Sequence, residues 1–257
     1  MCRWIAYRGM PIPLEFYVTK PKHSLVSQSL NALEATASIN GDGFGLGWYG
    51  DYKEPGLYRE VRPAWSDENL HHLCRHLRSH LFFAHARAAT ATAVSHANCH
   101  PFAYDRWMFM HNGFIGGWPR LRRKIENLIP AEYYPSREGT TDSEAIFLAM
   151  LGAGLAQDPA GAAKCIMLTL KRMVEMAEDQ NQLRFTAALT DGHTIYAFRY
   201  AFNDSANTLY YRNSRDGTVI ASEPLDTGSD PWTAVPDNHM LVAEPGKRLR
   251  VSSFMPE

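Results

Sequence analysis

Cys2 directly follows the initiator methionine. Cysteine is small enough for methionine removal to be expected, and removal leaves a thiol and a free α-amine on one residue. Such an amine titrates at roughly 7.7–8.0, so near pH 7 a useful fraction is neutral and can take the thiol proton. That combination is a nucleophile carrying its own base. Three polar clusters downstream offer what the nucleophile would need. In His85-Ala86-Arg87-Ala88-Ala89-Thr90 the arginine can grip a carboxylate through two parallel hydrogen bonds, or serve in a structural ion pair. In His111-Asn112-Gly113 a carboxamide NH2 stands beside a glycine N–H, two donors suited to a developing oxyanion. The same Asn-Gly pair can instead make a hairpin turn. In Thr140-Thr141-Asp142-Ser143-Glu144 the aspartate can hold an ammonium group or cap a helix. Together these groups fit an amino-acid substrate attacked at a carbonyl carbon.

The elements that must position these residues follow from hydrophobic periodicity. Alternating apolar residues predict strands at about 3–8, 44–49, 81–87, 107–111, 183–189, 194–200, 209–212, 219–222, 240–244 and 249–254. Asp191-Gly192 and Asp216-Gly217 separate four of these and read as hairpin turns. Helical spacing is found at about 25–35, 67–78, 119–128, 142–155 and 159–179. Thr141 or Asp142 is the expected cap of the fourth helix, and Asp158-Pro159 opens the fifth. Strands gather at both ends with helices between, an order that favours antiparallel sheets covered by helices over a βαβ fold. No linker divides the sequence, so one domain over 1–257 is expected. In Gly41-Asp42-Gly43-Phe44-Gly45-Leu46-Gly47-Trp48 the glycines recur with period two, so a strand there has one bare face. That face would admit either tight packing or a substrate.

Composition excludes several classes. A net charge of −1 gives no electrostatic case for nucleic acid or an anionic membrane. No apolar run reaches the ~18 residues of a membrane span, and no signal-peptide core follows Met1, so a cytoplasmic protein is expected. The four cysteines (Cys2, Cys74, Cys99, Cys165) lack CxxC spacing. Eight of the eleven histidines lie between His71 and His111. Of these, His72, His76 and His80 have i, i+4, i+8 spacing, with Cys74 nearby, which raises a metal-site alternative. With no carboxylate or CxxC partner the expectation is no metal and no cofactor. The basic stretch Arg120, Arg122, Arg123 and Lys124 reads as a solvated helix face.

Met1-Cys2, Arg87-x-Ala89-Thr90, Asn98-Cys99-His100-Pro101, His111-Asn112-Gly113, Thr141-Asp142-Ser143-Glu144 and Ala221-Ser222-Glu223-Pro224, in that order, resemble the class II glutamine amidotransferase domain of the N-terminal-nucleophile (Ntn) hydrolases. The resemblance covers nearly the whole chain. It implies an α+β, four-layer αββα sandwich of two antiparallel sheets flanked by helices. It implies Cys2 as nucleophile with its amine as base, and Asn112 and Gly113 as the oxyanion hole. Arg87 would hold the substrate α-carboxylate and Asp142 its α-amine, while Thr90 and His100 would line the pocket. The implied reaction is hydrolysis of the γ-amide of glutamine or of a γ-glutamyl amide through a γ-glutamyl thioester. Where synthase-linked members carry tryptophan and histidine, this sequence has Ala88 and Ala91. No synthase domain is expected beyond the amidotransferase region. The chain therefore resembles standalone members such as the γ-glutamyl hydrolase of ergothioneine biosynthesis, working alone or beside a separate synthase subunit. The competing reading is a non-catalytic domain that binds amino acids or γ-glutamyl compounds.

Overall fold

The computed structural model describes residues 2–35, 38–89, 92–177, 181–228 and 230–256. Its strands are β1 (Arg3–Pro13), β2 (Phe44–Trp48), β3 (Gly56–Glu60), β4 (Arg78–Ala86), β5 (Phe102–Tyr104), β6 (Trp107–Ile115) and β7 (Leu183–Thr190). They continue with β8 (Ile195–Phe202), β9 (Tyr210–Ser214), β10 (Gly217–Ala221), β11 (Thr233–Ala234), β12 (His239–Ala243) and β13 (Arg250–Ser253). The helices are α1 (Glu15–Val18), α2 (Leu25–Leu30), α3 (Glu68–His76), α4 (Trp118–Glu126), α5 (Asp142–Gly152) and α6 (Pro159–Glu175). All pairings are antiparallel. One sheet runs β11-β9-β10-β1-β4-β2-β3 and the other β13-β12-β8-β7-β6-β5.

Period-two side-chain alternation builds the layers. In β1, Trp4 and Ala6 join Leu81, Phe83, Met108, Met110, Ala188 and Leu241 in a core between the sheets. The intervening Ile5 and Tyr7 turn the other way, onto Val18, Leu25, Leu70 and Cys74 of α1–α3. In β6, Met108 and Met110 face the inter-sheet core while Phe109 packs with Phe185 and Phe198 against α4–α6. Helices, sheet, sheet, helices is the expected αββα sandwich. Each sheet is apolar on both faces because each is covered twice.

Four departures from the sequence expectations have local causes. β6 runs on to Ile115, so Asn112-Gly113 lies inside a strand paired with Thr186-Phe185 of β7 and not in a turn. α2 stops at Leu30, capped by Asn31, because the donors beyond the cap are drawn elsewhere: Ala32 N–H goes to Ser38 O, and Leu33 and Glu34 N–H both go to the Glu223 carboxylate. α3 ends at His76, capped at its start by Asp67, and His80 belongs to β4. His72, His76 and His80 therefore share no helix face, and the described residues contain no cluster of His, Cys, Asp or Glu arranged to hold a metal. α6 ends at Glu175, short of the expected 179, and residues 178–180 lie outside the described residues. Among the described residues no helix is long and apolar enough to cross a membrane.

The glycine face of β2 is a packing surface. A Cβ at Gly43 would lie 2.7 Å from Cys99 Sγ, one at Gly45 would collide with the His100 carbonyl oxygen, and one at Gly47 would sit 2.7 Å from Pro101 Cγ. The bare face lets the Cys99–Pro101 segment lie directly on the sheet.

Candidate active site

Cys2 stands just before β1, half-buried, and strand parity aims it with Trp4 and Ala6 between the sheets. Its Sγ accepts from Ala88 N–H at 3.4 Å and lies 3.6 Å from Ala88 O, so the thiol rests on the chain just past β4. Asn112 has the parity of Met108 and Met110 in β6 and faces the same layer from the opposite sheet.

Two chains of contacts join the two residues. Arg3 is in register with Ala86; the neighbouring His85 donates from Nε2 to His111 O at 3.3 Å, and His111 precedes Asn112. Independently, Ser222 brackets Trp4 through Oγ and N–H (both 3.0 Å), Thr208 Oγ1 donates to Ser222 O at 2.9 Å, and Asn207 Nδ2 donates to Asn112 O at 2.9 Å. Asn112 is 1% exposed, yet its Nδ2 has no hydrogen-bond partner among the described residues. A buried amide donor left open is costly, and such groups in native folds mark sites where a ligand or water completes the bonding. At Gly113 a Cβ would collide with Arg184 O and His111 Nε2, so only glycine fits there.

Arg87 is buried, and both of its Nη atoms already donate. Nη1 donates to Asp42 O at 3.2 Å, and Nη2 donates to Thr92 Oγ1 at 2.6 Å and Ala93 O at 3.2 Å. Asp42 Oδ2 in turn accepts from Ala89 N at 2.8 Å. Thr90 lies outside the described residues. Thr141 is the cap of α5, accepting from Glu144 N at 3.2 Å. Asp142 is thus the first residue of the helix, half-buried, accepting from Ile115 N (3.1 Å) and Ser143 N (2.8 Å). Because Ile115 ends β6, Asp142 is held at the end of the strand that carries Asn112.

Behind these residues lie three buried histidines. His85 and His100 stack with centroids 4.2 Å apart, and His100 meets Phe102 edge-on. A carbonyl can only accept, so Nε2 of His85 carries its proton and Nδ1 is left a bare acceptor. By the same logic His111 donates from Nε2 to Arg184 O and accepts the Ser143 hydroxyl proton at Nδ1, 2.9 Å away. Burial pushes His85 down to about 3, with Arg87, His111 and Arg3 adding to the fall and the His111 carbonyl opposing it. Burial likewise drives His100 well below the ordinary histidine range, helped by the charges of its neighbours. His111 is lowered by burial against the opposing charge of Asp142. All three are neutral at pH 7 and act as packed polar walls. His100, expected at the pocket lining, is 4% exposed within this cluster.

The sequence did not single out Arg3. It is fully buried, donating from Nε to Cys2 O at 2.7 Å and from Nη1 to Glu223 Oε1 at 2.7 Å. Its partner lies 220 positions away, so no local spacing could have revealed the pair.

The family described as "Glutamine amidotransferases class-II" matches residues 18–212. The chain is also 33% identical to "Probable glutamine amidotransferase DUG3" of Saccharomyces cerevisiae, over 94% of this chain and 81% of the yeast protein. The chain belongs to the class II glutamine amidotransferases. Other relatives of this amidotransferase include the γ-glutamyl-hercynylcysteine sulfoxide hydrolase of Mycolicibacterium smegmatis, 28% identical over 94% of this chain and 95% of that one. A solved glutamine aminotransferase class-II domain protein from Silicibacter pomeroyi superposes with a TM-score of 0.77 at 37% identity, covering 99% of this chain and 100% of the other. Glutamine phosphoribosylpyrophosphate amidotransferase from B. subtilis superposes at 0.69 with 12% identity, over 100% of this chain and 50% of its own, a likeness of fold alone. The αββα sandwich is that of the Ntn hydrolases. Membership places the chain among enzymes rather than non-catalytic binding domains.

Proposed function

We propose that this amidotransferase cleaves the γ-amide of glutamine or of a γ-glutamyl amide with Cys2 as nucleophile, once Met1 has been removed. The observation that carries the reading is the buried, open Asn112 Nδ2 facing the same inter-sheet layer as the Cys2 thiol. The α-amine of Cys2 takes the thiol proton, and the sulfur attacks the γ-carbonyl carbon. The carbonyl electron pair moves to oxygen, where Asn112 Nδ2–H and Gly113 N–H stabilise the charge. Collapse re-forms the carbonyl and breaks the C–N bond; the leaving nitrogen takes the proton held by the α-ammonium. A γ-glutamyl thioester remains. Water, deprotonated by the same amine, attacks it, and glutamate leaves as the thiol is restored. Arg87 binds the substrate α-carboxylate, Asp142 its α-ammonium, and Thr90 and His100 line the pocket. No metal or cofactor takes part.

Residues 1–257 act as one domain, in the cytoplasm, on a small molecule. A γ-glutamyl amide with a leaving group larger than ammonia is favoured by the small Ala88 and Ala91 and by the relatives that are γ-glutamyl hydrolases. If glutamine is the substrate, a separate synthase subunit consumes the ammonia. Asn112→Ala tests the reading: loss of one oxyanion donor lowers kcat by about 10²–10³-fold with little change in KM. Unchanged hydrolysis of glutamine and of γ-glutamyl-p-nitroanilide by a folded Asn112→Ala protein removes the proposed oxyanion hole.

A further inference from the structure

Glu223 gathers more partners than a salt bridge needs. It is 1% exposed and lies just after β10. Oε1 accepts from Arg3 Nη1 (2.7 Å) and Glu34 N (2.9 Å); Oε2 meets His23 Nε2 (2.7 Å) and accepts from Leu33 N (3.0 Å). Burial alone would raise this carboxyl, but the bonds from His23, Leu33 and Glu34 and the charge of Arg3 outweigh it and hold it at about 2. Arg3 spends its Nε on the carbonyl of Cys2, while its Nη2 is buried without a partner among the described residues. A pair kept only for stability would not leave a charged donor open in the interior, and buried ion pairs are poor stabilisers compared with apolar packing.

We propose that Arg3 and Glu223 form a positioning pair that fixes the peptide of the nucleophile residue and ties it to the Leu33–Glu34 backbone. The inference rests on Cys2 being the nucleophile. The Nε–H bond fixes the Cys2 carbonyl and so sets the rotation that places its amine and thiol. Glu223 holds the guanidinium in that pose and anchors the strand of chain that leads from α2 to Asp42, whose carbonyl and carboxylate steady Arg87 and Ala89. The charged or titratable groups around this corner include Cys2 and Arg3 at the start of β1, Glu223 after β10, His23 and Glu34 on either side of α2, Tyr210 of β9 on the Glu34 carboxylate, His85 of β4, Asp42 before β2, Arg87 after β4 and Cys99 before β5.

Arg3→Lys keeps the charge for Glu223 but loses the planar fork that reaches Cys2 O. With the fold retained by melting temperature and circular dichroism, hydrolysis of γ-glutamyl-p-nitroanilide is expected to lose about 10–100-fold in kcat with KM within about twofold, the effect of a small misplacement of a reacting group. In Glu223→Gln the positive charge one peptide from the amine is no longer balanced. The amine then binds its proton less tightly, and the acid limb of kcat/KM moves to lower pH. A merely structural role lowers amplitude without moving the limb. Wild-type kcat in folded Arg3→Lys, or an unmoved acid limb in folded Glu223→Gln, overturns the proposal. In the wild-type protein, hydrogen exchange at the Leu33 and Glu34 amides is expected to be as slow as at Trp4; free exchange overturns the tie to the loop even if neither variant folds. Cys2→Ala is the control: its retained activity sinks the nucleophile itself, whereas an inactive Cys2→Ala with an unaffected Arg3→Lys sinks only the positioning pair.

Discussion

Single residues here are legible by what they leave unsatisfied. Asn112 Nδ2 is open and buried, whereas the Arg87 guanidinium already holds Asp42 O, Thr92 Oγ1 and Ala93 O. The arginine therefore shapes the segment after β4 as well as offering charge to a substrate. Arg87→Lys keeps the charge and loses the fork. Hydrogen bonds to charged groups are worth about 1.5–3 kcal/mol, so KM for glutamine is expected to rise about 10–100-fold, with a smaller change in kcat, in steady-state kinetics. An unchanged KM removes Arg87 from carboxylate binding. The sequence could nominate Cys2, Arg87, Asn112 and Asp142 because their side-chain chemistry is distinctive. It could not decide between a turn and a strand for Asn112-Gly113, because that choice is made by the eight-residue pairing of β6 with β7. Nor could it find Arg3 with Glu223, whose meeting depends on β1 lying beside β10.

At the scale of elements, alternation of side chains placed ten of the thirteen described strands. It missed β3, β5 and β11, which are all edge strands, β5 and β11 being only three and two residues long. α2 was expected to be five residues longer because propensity says nothing about a carboxylate arriving from after β10 to capture two backbone N–H groups. The period-two glycines of β2 were ambiguous in sequence, and their neighbours decide the matter. Gly45→Ala must displace the His100 backbone, and overpacking of this kind costs about 1–3 kcal/mol. Gly50, just beyond β2, has nothing within 4 Å of where a Cβ would stand, so Gly50→Ala is expected to change stability by less than about 0.5 kcal/mol. Chemical denaturation of the two variants checks the contrast; equal stabilities contradict the packing role of the glycine face.

For the whole molecule, the two sheets are joined by an apolar core that becomes polar at one end, where Cys2, His85 and Asn112 face inward. The neutral histidines there make stability depend on pH. His85, His100 and His111 have folded values below that of an unfolded histidine, so the unfolded chain binds more protons once the pH drops below about 6.5. Stability is full above that point and falls as the pH goes down toward the folded value of about 3 at His85. Glu223, also lowered, adds a second loss between its ordinary range and about 2. Melting temperature is expected to decline steadily from pH 6.5 to 4, and His85→Phe is expected to flatten that decline; a flat wild-type profile contradicts neutral burial of the three rings. Antiparallel sheets covered by helices were readable from strands at both ends and helices between, whereas the four-layer order was implied only by the family resemblance. The site was readable only as a set of candidates, because the distances that unite it run across the sandwich and not along the chain.

The most direct test is the intact mass of the natively processed protein before and after a chloroketone analogue of glutamine, with the adduct located by peptide mapping. The expected result is a chain lacking Met1 that gains one adduct, on Cys2, as hydrolytic activity is lost. An active protein that retains Met1, or full inactivation with the adduct on Cys74, Cys99 or Cys165, contradicts it.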